Sequence, residues 1–235
     1  MKSTVKLISY SKPAPELEKE GIDDCEQLVA YAARVSNPSN QSNTKTSSKL
    51  LDYLVTHKHW SPFEMASACL EITTTRDIAR QILRHRSFSF QEFSQRYADP
   101  VKELQMSPRE ARLQDPKNRQ NSIEIETDPS IQLDAAKQEL ITSWRRKQIG
   151  LINQSKDVYE WAINNGIAKE QARAVLPEGL VESRLYMNGT LRSWIHYVEL
   201  RSAHGTQKEH QEVAIKCGEV LTEIFPNFNK YTKLI

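Results

Sequence analysis

The residues best suited to chemistry are concentrated in one segment, Arg84-His85-Arg86-Ser87-Phe88-Ser89-Phe90-Gln91-Glu92-Phe93-Ser94-Gln95-Arg96-Tyr97. It places three guanidiniums, one imidazole, one carboxylate and three serine hydroxyls within fourteen residues. Arginine forks match the paired oxygens of phosphate or carboxylate, and small hydroxyls add further donors. The set suits a phosphate held beside a polar ring. A salt-bridged surface corner is the plainer reading, but such a corner gains little from interleaved serines. Read as extended chain, Phe90, Glu92, Ser94 and Arg96 point one way and Gln91, Phe93, Gln95 and Tyr97 the other. One face would then carry a carboxylate, a hydroxyl and a guanidinium, a row able to bond a uracil-like edge and grip its phosphate.

Other candidates lie further along the chain. Arg173 sits in a helical turn between Lys169 and Pro177, and Arg192 and Arg201 flank an apolar-faced helix with His196 between them. Helical arginines are commonly solvated face residues. His59 precedes Ser61-Pro62-Phe63-Glu64 and could orient a loop or touch a ring. His85 is bracketed by arginines, whose field favours a neutral imidazole near pH 7. It therefore reads as a hydrogen-bonding or stacking group. Structural roles fit His59, His85 and His196 equally well, and His57 and His210 read as surface residues. No metal site is expected, because neither HExxH nor another convincing ligand spacing occurs. The Rossmann and P-loop glycine patterns are absent, as is a GxSxG elbow. Ser94 has no base beside it in sequence, so it reads as a binding group rather than a nucleophile.

Positioning these residues falls to a chain of 235 residues, 38% hydrophobic and 26% charged, with a formal net charge of +2. That composition fits one globular domain spanning 1–235. No basic tail or block points to nucleic acid. Cys25, Cys69 and Cys217 are scattered and odd in number, and read as buried small hydrophobes in a reducing compartment. No apolar leader opens the sequence and no run is long enough to span a bilayer. A cytoplasmic protein without membrane partners is expected.

Pattern predicts strands over 5–10 and 66–73 and helices over 24–35 and 47–56. A further helix starts at 75–77 and ends near His85. The polar stretch 100–129 is irregular and reads as a lid or surface excursion. A long helix is predicted over 131–161, with Gln148 interrupting its apolar stripe and a stop at Asn164-Asn165-Gly166. A short helix over 168–176, a turn over 187–190, and helices over 191–198 and 207–225 complete the reading. Strands come early and helices late, so the class is α/β or α+β.

The segment from Arg84 to Tyr97 resembles the signature of flavin-dependent thymidylate synthases, the ThyX family: RHR, several residues, then SxR. The resemblance extends to Ala33-Arg34-Val35-Ser36, to His59-Trp60-Ser61-Pro62-Phe63-Glu64, to Ala172-Arg173-Ala174-Val175-Leu176-Pro177 and to Arg192 through Gln207. It covers the chain from near residue 30 to near 215. It implies an α/β fold of the ThyX type, with an antiparallel or mixed sheet flanked by long helices and a helix-rich C-terminal half. It also implies reductive methylation of dUMP to dTMP, with 5,10-methylenetetrahydrofolate as carbon donor and NADPH-reduced FAD as hydride source. The family is a homotetramer with sites shared between subunits.

Carried over residue by residue, the resemblance puts dUMP against Gln81, Arg84, Glu92, Ser94, Gln95, Arg96, Arg173 and Arg201. FAD would meet Ser36, Ser61, Glu64, Arg84, His85, Arg86, Gln91, Glu92, Thr190, Arg192, His196 and Leu200. Arg201, His59 and Ser94 take the catalytic positions, with Arg201 near the pyrimidine and no covalent enzyme–substrate bond. Three positions depart from the pattern: Gln91 and Thr190 stand where Asn is common, and Gly205, next to His204, stands where His is common. A flavin enzyme that binds a nucleoside phosphate without methyl transfer, and a phosphate- or RNA-binding module, are the competing readings.

Overall fold

The structure, a computed structural model, describes residues 2–233. In chain order its elements are β1 (Thr4–Tyr10), α1 (Pro15–Glu18), α2 (Cys25–Ala33), α3 (Ser47–Thr56), β2 (Ser67–Thr75), α4 (Arg76–Ile82), β3 (Ser89–Glu92) and α5 (Pro100–Glu103). They continue with β4 (Arg112–Gln114), β5 (Ser122–Glu124), α6 (Ala135–Asn164), α7 (Lys169–Ala172), β6 (Glu182–Thr190), α8 (Leu191–Ser202), α9 (Lys208–Thr222) and α10 (Phe228–Thr232).

Four strands form an antiparallel sheet in the order β1-β2-β6-β3. Period-two alternation turns Ala68, Leu70 and Ile72 of β2 and Leu185 and Met187 of β6 to one face. These side chains share a core with Val29 of α2, Leu51 of α3, Ile78 of α4, Trp194 of α8, Val213 of α9 and Phe228 of α10. On the opposite face Arg184, Tyr186 and Asn188 of β6 are exposed. The fold is thus an α/β sheet with helices on its buried face, as the resemblance implied.

The strand β6 corrects the turn expected over 187–190. Asn188-Gly189 reads locally as a turn, yet both residues pair regularly with β2. The glycine is there for packing. A Cβ at Gly189 would lie 2.4 Å from Cδ1 of Phe88, so the ring occupies the space a side chain would need.

Residues 100–129 contain α5, the β4–β5 hairpin and a bridge between Met106 and Val181. Gln148, the polar interruption of α6, explains how this stretch is held. Its side-chain amide accepts from Arg109 N and donates to Arg109 O, both at 2.9 Å, while only 4% of the residue is exposed. Arg109 also bonds Thr75 and Asp77 through its guanidinium, at 2.5 Å each. The helix α6 is capped by Asp134 and stops before Gly166, whose φ of +78° favours glycine. Among the described residues no helix is long and apolar enough to cross a membrane.

Candidate active site

Glu92 ends β3 and is anchored from three directions. Ser183 Oγ donates to its Oε1 at 2.7 Å, Arg80 donates to its Oε2 at 3.3 Å, and Arg76 lies 3.6 Å away. Arg76 and Arg80 are one helical turn apart on α4, so both forks reach the same carboxylate. Together with Gln95, Arg173, Ala174, Leu176 and Glu178 they line a cavity of about 380 Å³. Burial, and then the neighbouring Arg80, lower the pKa of Arg76, as expected where cations crowd.

The predicted alternation holds through Glu92 and then fails. The N–H groups of Tyr97 and Ala98 both donate to Ser94 O at 3.2 Å, so the chain turns there. Gln95 is consequently buried, with 3% exposed, while Arg96 points outward and lies 3.5 Å from Glu170. Ser94 Oγ accepts from Arg96 N at 3.4 Å. The row of Glu92, Ser94 and Arg96 on one strand face is therefore not formed. Gln95 and Arg173 come together instead.

A second group forms where α4, α8 and α9 meet. Arg201 Nε donates to His85 Nε2 at 2.9 Å. Burial, then the charges of Arg201 and Arg84, lower the His85 pKa to about 4, so the imidazole is neutral near pH 7. With Nε2 accepting, its proton sits on Nδ1. Gln81 Nε2 donates to Gln207 Oε1 at 2.7 Å. His210, expected at the surface, is fully buried. Its two ring nitrogens lie 3.2 Å from Tyr197 Oη and 3.2 Å from Gln81 Oε1, which makes a buried imidazole affordable. Arg84 and Arg86 are exposed and take no carboxylate partner among the described residues.

A third group lines the start of α8. A short turn over Ser61–Glu64 brings Glu64 into an ion pair with Arg192. Thr190 caps α8 by accepting from Ser193 N at 3.3 Å, and Ser193 Oγ donates to Ser87 O at 3.2 Å. Thr190 therefore serves as the helix cap where the resemblance led one to expect Asn. The Trp60 and His196 rings meet edge-on with centroids 4.6 Å apart. Burial, then Arg192, lower the His196 pKa. Leu200 and Gln91 are exposed. Ser36 and His59 belong to a separate patch about α3: Ser36 lines a cavity of about 490 Å³ with Tyr53 and Lys49, and the His59 ring stands 6.1 Å from that of Tyr53.

One chain thus presents its candidate residues as several neighbouring patches. The sequence reading missed Arg76, Arg80, Tyr197, Gln207 and Glu209. The spacing of Arg76 and Arg80 on α4 was the one available signal, since helix neighbours share partners. The other three depend on how α8, α9 and the β4–β5 hairpin meet. Among the described residues no group of His, Cys, Asp and Glu is placed to hold a metal ion.

Comparison with known proteins gives a consistent result. The family model described as "Thymidylate synthase complementing protein" matches residues 19–227. A probable flavin-dependent thymidylate synthase of Paramecium bursaria Chlorella virus 1 is 49% identical, over 97% of this chain and 97% of its own. The flavin-dependent thymidylate synthase of Synechocystis sp. is 45% identical, over 94% and 95%. Among solved structures, the UMP/dUMP methylase PolB of Streptomyces cacaoi bound with 5-Br dUMP superposes with a TM-score of 0.74 at 22% identity, covering 98% of this chain and 94% of that one. At that identity the likeness is one of fold.

Proposed function

The chain belongs to the flavin-dependent thymidylate synthase family, and from that premise we propose that it methylates dUMP reductively to dTMP with the residues described above. The observation that carries this reading is the paired arrangement of an anchored carboxylate, Glu92, beside an arginine-lined cavity and a guanidinium, Arg201, held by a neutral imidazole. In this reading Arg173, Arg96 and Arg84 neutralise the dUMP phosphate, with Gln95 as a further donor, and Gln81 donates to the nucleotide. Glu92 accepts from the nucleotide. Arg201 stabilises negative charge on the pyrimidine carbonyl as C5 becomes nucleophilic. Its Nε is engaged by His85, while its terminal nitrogens take no protein acceptor among the described residues. The imidazole thereby orients a fork that remains open to the base. Ser94 binds and does not attack, consistent with its neighbours: no base stands against its hydroxyl among the described residues.

The donor set also fits a phosphate-bearing flavin. Exposed Arg84 and Arg86, the Ser61 hydroxyl, Arg192 and the half-buried His196 line neighbouring surface, and we assign them with Ser36, Glu64, His85, Gln91, Glu92, Thr190 and Leu200 to FAD. When bound, FAD reduced by NADPH supplies the hydride and methylenetetrahydrofolate the carbon. We assign His59 to the flavin and folate region. Two features support a homotetramer with shared sites: the separation of the patches on one chain, and the exposure of Leu140, Trp144, Leu151, Val158 and Trp161 along α6. We read residues 1–235 as one domain, and the free cysteines as fitting a reducing, cytoplasmic setting.

The test is spectroscopic. The purified protein should carry flavin absorption, bleach on addition of NADPH, and change its spectrum with dUMP. A colourless protein that stays so after incubation with FAD would overturn the proposal.

A further inference from the structure

Where α4, α8 and α9 meet, side chains form a hydrogen-bonded row whose direction is fixed by its end. Tyr197 Oη lies 3.2 Å from His210 Nε2, and His210 Nδ1 lies 3.2 Å from Gln81 Oε1. Gln81 Nε2 donates to Gln207 Oε1 at 2.7 Å, and Gln207 Nε2 donates to Glu209 Oε2 at 2.9 Å. Arg112, from the β4–β5 hairpin, donates to the other Glu209 oxygen. Burial pushes the Glu209 carboxyl up, but the hydrogen bonds from Arg112, from its own backbone N–H and from Gln207, together with the Arg112 charge, leave it below its ordinary value, hence ionised.

An ionised carboxylate only accepts. Gln207 must therefore turn its NH2 group to Glu209 and its carbonyl to Gln81. Gln81 must turn its NH2 group to Gln207 and its carbonyl to His210. His210 must carry its proton on Nδ1, which leaves Nε2 to accept from the Tyr197 hydroxyl. This tautomer requires a neutral ring, and burial followed by the charge of Arg201 lowers the His210 pKa to about 3. Either glutamine could be turned over if the row ended on a group that both donates and accepts.

We infer that His210 and Glu209 are positioning residues that lock the Gln81 amide, so that the second N–H of its NH2 group is what it offers to a ligand. The ligand atom met there is an acceptor oxygen, either a pyrimidine carbonyl or a phosphate oxygen. An amino group at that place would set donor against donor. The inference rests on the placement of dUMP against Gln81 proposed above. It also gives the polar stretch 100–129 a part in recognition, since Arg112 holds the end of the row.

The experiment measures dissociation constants of dUMP, dCMP and deoxyuridine for the flavin-loaded full chain and three variants. Glu209→Gln keeps the shape at the end of the row but can donate as well as accept. His210→Phe keeps the ring and removes Nδ1–H. Gln81→Ala removes the amide itself. Loss of one buried hydrogen-bond constraint should appear as a change of roughly fivefold to tenfold. If Gln81 meets the base, Glu209→Gln and His210→Phe reduce the preference for dUMP over dCMP by that factor. If it meets the phosphate, they reduce the preference for dUMP over deoxyuridine instead. Either outcome supports the inference, and a merely structural role would move neither ratio. Should His210→Phe fail to fold, Glu209→Gln, which is only half-buried, carries the test. Wild-type ratios in Glu209→Gln alongside weakened dUMP binding in Gln81→Ala would overturn the positioning role alone. Unchanged dUMP binding in Gln81→Ala would overturn the placement of the nucleotide, and the inference with it.

Discussion

Arg201 Nε donates to His85 Nε2 across 2.9 Å, tying α8 to the end of α4. The bond fixes the plane of the guanidinium while leaving its terminal nitrogens for a ligand. Arg201→Ala should therefore lower kcat/KM for dUMP by about 10²- to 10³-fold, the usual cost of losing one preorganised charge-stabilising donor. Arg201→Lys should recover little, because an ammonium lacks the planar fork that can serve His85 and a base together. Steady-state kinetics of the two variants check this. Near-wild-type turnover in Arg201→Ala would remove the residue from the mechanism.

His85 and His210 give stability a defined response to acid. Burial first, then Arg201, lowers both pKa values, to about 4 and about 3. In the unfolded chain both titrate near 6.5. As pH falls below that value the unfolded chain takes up protons that the folded protein refuses, so stability declines from about pH 6.5 downward. Above pH 7 neither ring contributes a slope. For the fully buried His210 the loss between pH 7 and pH 5 is about 2 kcal/mol. Urea midpoints near pH 7.5 and near pH 5 should therefore differ more for wild type than for His210→Phe.

Gly189→Ala should be costly despite its small size. The added Cβ would meet the Phe88 ring at 2.4 and 2.6 Å. Overpacking of this kind costs about 1–3 kcal/mol. The double variant Gly189→Ala with Phe88→Leu should lose less than the sum of the single changes, because the clash is absent from it. Thermal denaturation of the four proteins measures the coupling, and strict additivity would contradict the packing account.

Gln148→Leu fills an apolar position in the α6 stripe but leaves Arg109 N–H and C=O without their shared partner. A loss of about 1–3 kcal/mol is expected. Hydrogen exchange should quicken around Arg109. Gln148→Glu should not rescue it, since a carboxylate can accept from the N–H but cannot donate to the carbonyl.

These cases show why parts of the molecule were legible in sequence and others were not. The helix α3 fell on its predicted bounds because a short amphipathic pattern is set by its own residues. Glu92 faced as predicted because strand alternation is equally local. Arg96 did not, because a turn at Ser94 ended the strand and Gln95 took the buried side. The strand β6 was hidden by Asn188-Gly189, whose turn chemistry is overridden by a phenyl ring about a hundred positions away. His210 looked solvated because the groups that satisfy it, Tyr197 and Gln81, lie on α8 and α4. Tertiary partners of this kind leave no trace in spacing.

The most direct measurement follows carbon. The purified protein, loaded with FAD, is given dUMP, NADPH and methylenetetrahydrofolate labelled at the methylene carbon. The account predicts labelled dTMP that forms only when FAD, NADPH and dUMP are all present. Oxidation of NADPH with no label in the nucleotide would contradict it.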